Sequence, residues 1–392
     1  MDTSEQKASI WSVGLSIFAM FFGAGNIVFP LALGQFTLDK NFYGILGLLI
    51  TAVLVPLAGL LAMLLYGGDY QAFFRRIGKI PGFTIVVLIL ALIGPFGGIP
   101  RCITVSYSTL EAFKMTGPEG IGLTLFSLLS CVALFLFTYR PRRILTWLGY
   151  VLTPILLLSL GAIIVKGLWL MPEADHTLSG KWQTFSHGVL EGYNTMDLLA
   201  SFFFSSVVLL CLQQGKLSEA KGNKKMISVA LVGSLIAALL LALVYVSLSY
   251  IAAGYSSELT SVQGHQMLGT LAHHLLGAKA GLLTGLAVLF ACMTTEIALT
   301  AVFARFLHEI LFPGKLSFPL SIGLTLVAAF FISTFRFEGI SSFIVPILQV
   351  CYPALIVLTL LNILYKLLNF QPVKFPFYAT FALSIVLYAL LK

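Results

Sequence analysis

The chain has 392 residues, of which 59% are hydrophobic and only 10% charged, whereas soluble domains carry about 25% charged residues. That balance excludes a disordered chain, a collagen-like repeat, a secreted disulfide scaffold and a nucleic-acid-binding protein, and leaves an all-α polytopic membrane protein. The formal net charge of +8, from 23 Lys and Arg against 15 Asp and Glu, matters through where the charges lie.

A spanning helix needs about 20 mostly apolar residues. By that measure the spans fall at 8–35, 42–66, 82–112, 120–138, 145–171, 187–212, 226–253, 279–306, 316–334, 340–368 and 375–391. The count is eleven, or twelve if Pro346 and Pro353 divide 340–368 into two short segments. Met1 to Ser9 is polar and the run after it is longer than a signal peptide's apolar core, so the first span is expected to stay in the mature protein. With the N-terminus inside, fifteen Lys and Arg fall on the inner side and seven on the outer, with Arg101 inside a span. Positive charge stays cytoplasmic, so this orientation is the expected one, in a bacterial-type plasma (inner) membrane. Trp11, Trp147, Trp169 and Trp182 sit at span ends, as interfacial anchors do. The five cysteines (Cys102, Cys131, Cys211, Cys292, Cys351) lie in apolar stretches without metal spacing and read as packing residues.

No linker separates two composition classes, so residues 1–392 read as one membrane domain. Its informative places are interruptions within spans, because unpaired backbone in lipid survives only around a cavity or ligand. In the first span Gly23, Gly25, Asn26 and Pro30 stand mid-run; the glycines weaken the helix and Asn26 can cap a second half-helix, although close packing through small residues would also use them. The third span carries Pro95, Pro100 and an intramembrane Arg101, then Thr104, Ser106 and Tyr107. Arg101 could hold a substrate carboxylate or neutralise Glu191 or Glu296, and the ion pair is the favoured reading. The sixth span crowds Glu191, Gly192, Asn194, Thr195 and Asp197 together, where each buried charge costs roughly 2.5–3.5 kcal/mol on insertion scales. Asn194 and Asp197 have cap and third-residue spacing, which would start a new helix at Thr195. The alternative, a span beginning after Asp197, leaves 198–212 too short to cross comfortably.

Gly264 to Ala278 is too short to span and is expected to be a re-entrant or surface helix on the outer side. Its His265, His273 and His274 read as an interfacial polar face in preference to a metal cluster. In the eighth span Thr294, Thr295 and Glu296 interrupt an apolar helix. The threonine hydroxyls either bond back to their own helix or act as hard oxygen ligands for an alkali cation. Breaks in the first and sixth spans, five spans apart, are the pattern of inverted-repeat transporters, with halves 8–171 and 187–368 and an extra span at 375–391. No nucleotide-binding loop, zinc-protease motif or nucleophile elbow is present, so the energy is expected from an ion gradient.

At FFGAGNIVFP (Phe21 to Pro30), GPFGGIPRCITVSY (Gly94 to Tyr107), LEGYNTMDLLA (Leu190 to Ala200) and ACMTTEIAL (Ala291 to Leu299) the chain resembles the branched-chain amino acid:cation symporters, the BrnQ or LIVCS family. The resemblance implies a five-plus-five inverted-repeat fold with discontinuous first and sixth spans, and symport of Leu, Ile or Val with Na⁺ or H⁺ and no other cofactor. It also implies a cation between the first and eighth spans, on carbonyls near Ala19 and Phe22 and the hydroxyls of Thr294 and Thr295. Glu296 departs from the small or uncharged residue usual there, which leaves the ion's identity open.

At the breaks, a zwitterionic substrate's carboxylate is expected on the N–H groups around Gly23, Ala24, Gly25 and Asn26. Its ammonium is expected on carbonyls from Glu191 to Tyr193, including Gly192, with Asn194 or Asp197 in reserve. Tyr107, Met196 and Phe203 are the candidates for the side-chain slot. Arg101, Glu191 and Glu296 are the candidate coupling or ion-pair groups. The expected partners are a hydrophobic amino acid, the coupling cation and lipid; a gated channel or facilitator for small polar solutes is the alternative function, and an intramembrane enzyme a third.

Overall fold

The computed structural model describes residues 10–118, 120–139, 153–214 and 223–391. Lys7, Arg140, Arg142, Arg143, Lys216, Lys221 and Lys392, which belong to the inner and outer counts above, and the anchor Trp147 lie outside them. Among the described residues there is no strand, only one isolated bridge between Thr116 and Ile121.

In chain order the helices are α1 (Ile10–Phe21), α2 (Ala24–Thr37), α3 (Asn41–Leu49), α4 (Val55–Leu65), α5 (Tyr70–Arg75), α6 (Lys79–Ile93), α7 (Gly98–Glu111), α8 (Leu123–Tyr139) and α9 (Thr153–Trp169). They continue as α10 (Lys181–Asn194), α11 (Asp197–Gln214), α12 (Asn223–Gly254), the single turn α13 (Ser256–Leu259), α14 (Met267–Phe306), α15 (Phe318–Ser333), α16 (Arg336–Leu368) and α17 (Lys374–Leu391). Five helical runs are long and apolar enough to cross a membrane: Ala24–Leu65, Lys79–Glu111, Ser228–Gly254, Met267–Leu311 and Arg336–Leu368. Leu123–Tyr139, Pro154–Trp169, Phe318–Ser333 and Lys374–Leu390 are apolar but shorter.

Leu125, Leu128, Leu129, Val132 and Leu136 of α8 are all exposed, as are Trp11, Trp169 and Trp182 at helix ends. An outer face this apolar is matched to lipid. The chain is a multi-pass membrane protein.

Local chemistry explains where the long runs stop. The first and sixth spans are broken as expected, between α1 and α2 and between α10 and α11. The third span, expected as one run over 82–112, is also interrupted, at Gly94–Gly97. A Cβ on Gly97 would lie 2.3 Å from the Leu92 carbonyl oxygen and one on Gly98 1.9 Å from that of Ile93, so only glycine lets α7 start against the end of α6. Pro346 and Pro353 have the opposite outcome: both sit inside the continuous 33-residue α16. Met267 opens the expected short helix, and Gly277 at φ 75° separates it from the longer remainder of α14.

The sixth span lies backbone to backbone on the second. A Cβ at Gly188 would stand 1.9 Å from the Gly44 carbonyl oxygen, and one at Gly192 1.9 Å from Thr51 Oγ1. Thr51 also bonds the Val189 carbonyl at 3.1 Å, within the wide π turn Ile50–Leu54 that joins α3 to α4. Small residues are how membrane helices approach this closely. Gly188→Ala meets backbone that no rotamer change can move, so it should cost about 1–3 kcal/mol, read as a lower thermal midpoint of the detergent-purified protein.

Outside the spans, the turn after α2 is tied to the loop before α10. Asp39 accepts from Thr177 N and pairs with His176 Nδ1, both at 2.9 Å, and Lys40 Nζ donates to the Thr177 and Ser179 carbonyls at 3.0 and 2.7 Å. The His176 hydrogen bond, followed by that from Thr177, holds the Asp39 carboxyl below its ordinary value, and Asp39 holds the His176 imidazole above its own. The raised imidazole stabilises the tie below the free histidine value and loses that effect as pH rises through the raised one. The lowered carboxyl stabilises it above the free carboxyl value and loses that effect in acid. Thr177 amide exchange, corrected for the intrinsic rate, should therefore be faster at about pH 8.5 than at about pH 5.5.

Candidate functional site

The break in the first span begins where α1 ends. Phe22 N still donates to the Phe18 carbonyl at 2.8 Å, but Gly23 is extended, at φ −127° and ψ −160°, and α2 starts at Ala24. Asn26 is not the cap expected of it. It is the third residue from Gly23, and its Oδ1 accepts from Gly23 N at 3.0 Å. Its Nδ2 donates to Asp197 Oδ2 at 2.8 Å and to the Tyr245 hydroxyl, which itself donates to Asp197 Oδ2 at 2.8 Å. These three buried groups tie the first, sixth and seventh spans together. Tyr245 was missed because nothing local marks a tyrosine in α12 as the partner of a residue 219 positions away.

In the sixth span, α10 runs through Asn194 and α11 starts at Asp197, so the break lies at Thr195 and Met196 and not before Thr195. Thr195 Oγ1 accepts from Asp197 N at 3.4 Å and donates to the Gly192 carbonyl at 2.9 Å, which places the capping oxygen one residue after Asn194. Met196 has φ 62°, a left-handed conformation uncommon for a residue with a side chain and concentrated at functional sites. The Tyr352 hydroxyl accepts from Leu198 N at 3.2 Å. The two breaks touch: a Cβ on Gly25 would lie 3.0 Å from both Cα and O of Thr195, and one on Gly23 3.2 Å from Thr295 Cγ2.

The end of α1 frees carbonyls that an uninterrupted helix would bond, and the eighth span brings hydroxyls to them. Thr294 Oγ1 lies 3.3 Å from the Ala19 carbonyl oxygen, and Thr295 Oγ1 lies 3.2 Å from that of Phe22 and 3.4 Å from that of Met20. Thr294 also back-bonds to the Ala291 carbonyl at 2.7 Å, so both readings of the threonines coexist. Met20 is an oxygen that sequence reasoning missed. All these donors are neutral and hard, the kind a small alkali cation takes.

Between the breaks is a cavity of ≈ 40 Å³. Gly23 to Asn26, Arg101, Thr195 to Asp197 and Thr295 line it, with Phe21 and Phe204 on its apolar side. Of the three candidates for the side-chain slot, Met196 lines it. Tyr107 and Phe203 do not: Tyr107 packs on Phe126 with ring centroids 5.7 Å apart, and Phe203 on Tyr70 at 5.0 Å. Phe204 lines it in place of Phe203, because one residue along a helix turns a side chain by about 100°.

Arg101 is buried, at 1% exposure, and pairs with neither Glu191 nor Glu296. Its single hydrogen bond runs from one terminal nitrogen to the Asn194 carbonyl at 3.1 Å, which caps the end of α10. Glu191 instead accepts from Asn194 Nδ2 at 3.1 Å and lies 3.3 Å from His187 Nε2, and Tyr193 stacks on Tyr352 at 4.7 Å. The Gly192 carbonyl accepts from Thr195 Oγ1, the Tyr193 carbonyl from the backbone N–H groups of Thr195 and Met196, and the Asn194 carbonyl from Arg101. Glu296 is buried one residue beyond Thr295.

The three histidines His265, His273 and His274 do not converge. His265 meets Glu338 at 2.8 Å, His274 meets Glu258 at 3.4 Å, and His273 lies against Phe113. Among the described residues no cluster of three or more His, Cys, Asp and Glu could hold a metal ion.

Residues 6–392 match the model of a family described as "Branched-chain amino acid transport protein". The branched-chain amino acid permease BraB of Bacillus subtilis (strain 168) is 31% identical over 364 residues, covering 91% of this chain and 80% of the relative. BrnQ of the same organism, also a branched-chain amino acid permease, is 32% identical over 370 residues, covering 90% and 81%. Among solved structures, the inward facing conformation of Mhp1 has a similar fold, with a TM-score of 0.64 at 13% identity over 98% of this chain and 86% of that one. The relatives are permeases, not enzymes. From the whole-chain match and the identity to these permeases, the chain belongs to the branched-chain amino acid transport protein family.

Proposed function

We propose that the protein is a secondary active symporter that imports branched-chain or other hydrophobic amino acids (Leu, Ile, Val) with Na⁺ by alternating access. The observation that carries this reading is the meeting of the Thr294 and Thr295 hydroxyls with the carbonyls freed at the end of α1. That oxygen cage shares Thr295 and Met20 with the cavity between the breaks, so an ion there is felt by whatever occupies the cavity. The names of the relatives support the substrate class.

In this reading the substrate carboxylate faces the start of α2 at Ala24 and Gly25, where backbone N–H groups and the helix dipole favour an anion. The branched side chain lies toward Met196, Phe21 and Phe204. The eleven spans form two inverted repeats, 8–171 and 187–368, plus a last span at 375–391, in the bacterial inner membrane with the N-terminus cytoplasmic. Ion and substrate bind the outward state together, and the gradient empties the inward one.

The test is uptake of labelled leucine, isoleucine and valine into proteoliposomes under an imposed Na⁺ gradient and, separately, a pH gradient. Uptake driven by Na⁺ alone is expected. Uptake driven by the pH gradient alone would transfer the coupling role to a proton, with Glu296 as the first candidate carrier. Absence of gradient-dependent uptake of any hydrophobic amino acid would overturn the reading.

A further inference from the structure

Arg101 has a hydrogen-bonding deficit that the described residues do not correct. It is 1% exposed, and among the described residues its Nε and second terminal nitrogen have no partner. Phe29 and Phe337 flank the guanidinium, with ring centroids 5.4 and 5.7 Å from Cζ, and cover it without accepting a conventional hydrogen bond. A buried guanidinium with open donors is costly unless an anion arrives.

The surroundings add to the demand for an anion. Gly98 and Arg101 belong to the first turn of α7, and that helix start lines the same cavity as the starts of α2 and α11. Each helix start carries partial positive charge. At α11 that charge meets the Asp197 carboxyl, and at α2 the Asn26 amide takes one N–H, but the α7 start brings another cation.

The second deficit lies next to the first. Asn194, whose backbone carbonyl receives the Arg101 bond, has a buried side-chain Oδ1 without a donor. Its amide orientation follows from Nδ2 donating to Glu191 Oε2 at 3.1 Å, which leaves Oδ1 as the free acceptor. One residue thus lacks an anion and its bonded neighbour lacks a donor. An α-amino acid head group supplies both from one carbon atom.

We propose that Arg101 and Asn194 form the head-group seat of the substrate. The open guanidinium nitrogens hold the carboxylate in a bidentate pair, together with the start of α2, and Asn194 Oδ1 accepts from the ammonium. The seat selects α-amino acids as zwitterions and leaves the choice of side chain to Met196, Phe21 and Phe204. It also sets the order of events at the sixth span, because the substrate then touches the end of α10 through both residues. This seat rests on the amino-acid reading above and specifies how that substrate is held.

The experiment measures ligand-induced rise of the thermal midpoint for the full chain purified in Na⁺, with leucine, leucinol (carboxylate replaced by an alcohol) and 4-methylpentanoate (ammonium absent). The wild type should prefer leucine to either analogue by about 100-fold or more, because each analogue leaves buried groups unpaired. Arg101→Gln, whose amide can still donate to the Asn194 carbonyl, should bring leucine down to the level of leucinol while leaving leucinol unchanged. Asn194→Ala should bring leucine down to the level of 4-methylpentanoate. Should Arg101→Gln fail to fold, Arg101→Lys keeps the charge without the bidentate fork and should retain a reduced preference for leucine over leucinol.

An Arg101 variant that keeps the full wild-type preference, or that loses leucine and leucinol equally, would overturn the seat and leave Arg101 as a structural cap of α10. Wild-type protein that binds leucine while Arg101→Gln keeps its preference disproves the seat alone. Wild-type protein that binds none of the three, with no gradient-driven uptake, disproves the transporter reading as well.

Discussion

Thr295→Ala lowers the apparent affinity for the coupling cation by at least about tenfold, since even outer-shell changes cost 10–100-fold at metal sites, while the amount of folded protein stays near wild type. The hydroxyl lies 3.2 and 3.4 Å from two carbonyls of the broken span, and its own helix asks little of it: the back-bond to Ala291 is long, at 3.5 Å. Thr294→Ala should act in the same direction with a smaller effect on the cation and a larger one on stability, because Thr294 makes the shorter back-bond, 2.7 Å, and lies 3.3 Å from a single carbonyl of the first span. Leucine uptake measured against Na⁺ concentration separates the two roles. An unchanged Na⁺ dependence in Thr295→Ala would remove the hydroxyl from the cation site. The cation effect should appear as a shift in the concentration required, with the maximal rate recovered at high Na⁺, because the remaining carbonyls still offer oxygen.

Asp197→Ala is expected to have the largest effect on stability. Asp197 Oδ2 receives both the Asn26 amide and the Tyr245 hydroxyl, and all three residues are buried. Removing the acceptor leaves two donors without that partner, at about 1–3 kcal/mol each, so the total is about 2–6 kcal/mol. Against a typical margin of about 5–15 kcal/mol, that puts much of the protein below the threshold for accumulation. Tyr245→Phe removes two bonds, the one its hydroxyl donates to Asp197 and the one it accepts from Asn26, and leaves Asp197 with Asn26. Interhelical bonds in membrane proteins average about 0.6 kcal/mol, because the unfolded chain in lipid also finds partners, so its cost should be far smaller. Thermal midpoints and the monodisperse fraction on size exclusion order the variants. Equal losses for the two would mean that the three groups do not act through Asp197. Since the network joins α2, α11 and α12, a surviving Asp197 variant should also bind substrate more weakly, its two breaks being no longer held to each other.

Much of this site is legible in the sequence, for a local reason. An apolar run interrupted by glycine, asparagine or a carboxylate is visible without knowing any partner, and so are Gly23, Gly25, the Glu191–Asp197 cluster and the Thr294–Thr295 pair. The family resemblance then joined the threonines to Ala19 and Phe22, and the hydroxyls do lie 3.2 and 3.3 Å from those carbonyls. What was misread depends on rotation and on distance along the chain. Asn26 has a capping residue's chemistry but sits three residues inside the turn, because Gly23 already provides the extended backbone. Phe203 and Phe204 are indistinguishable by composition, and only the packing of α11 decides which faces the cavity. The prolines of the third and tenth spans look alike as letters, yet the third is interrupted at four residues beginning and ending in glycine and the tenth is not.

By itself the sequence determined that this protein lives in lipid and where its helices are weak, because hydropathy and helix-breaking are properties of short stretches. Tertiary structure alone decided who meets whom: Tyr245 with Asp197, Met20 with Thr295, and Arg101 with the Asn194 carbonyl in place of a carboxylate. The intramembrane charge looked like half of an ion pair on composition. In the folded protein its carboxylate candidates bond elsewhere or lie apart, since a partner is chosen by the angle at which two helices face each other, and no stretch of either helix encodes that angle alone.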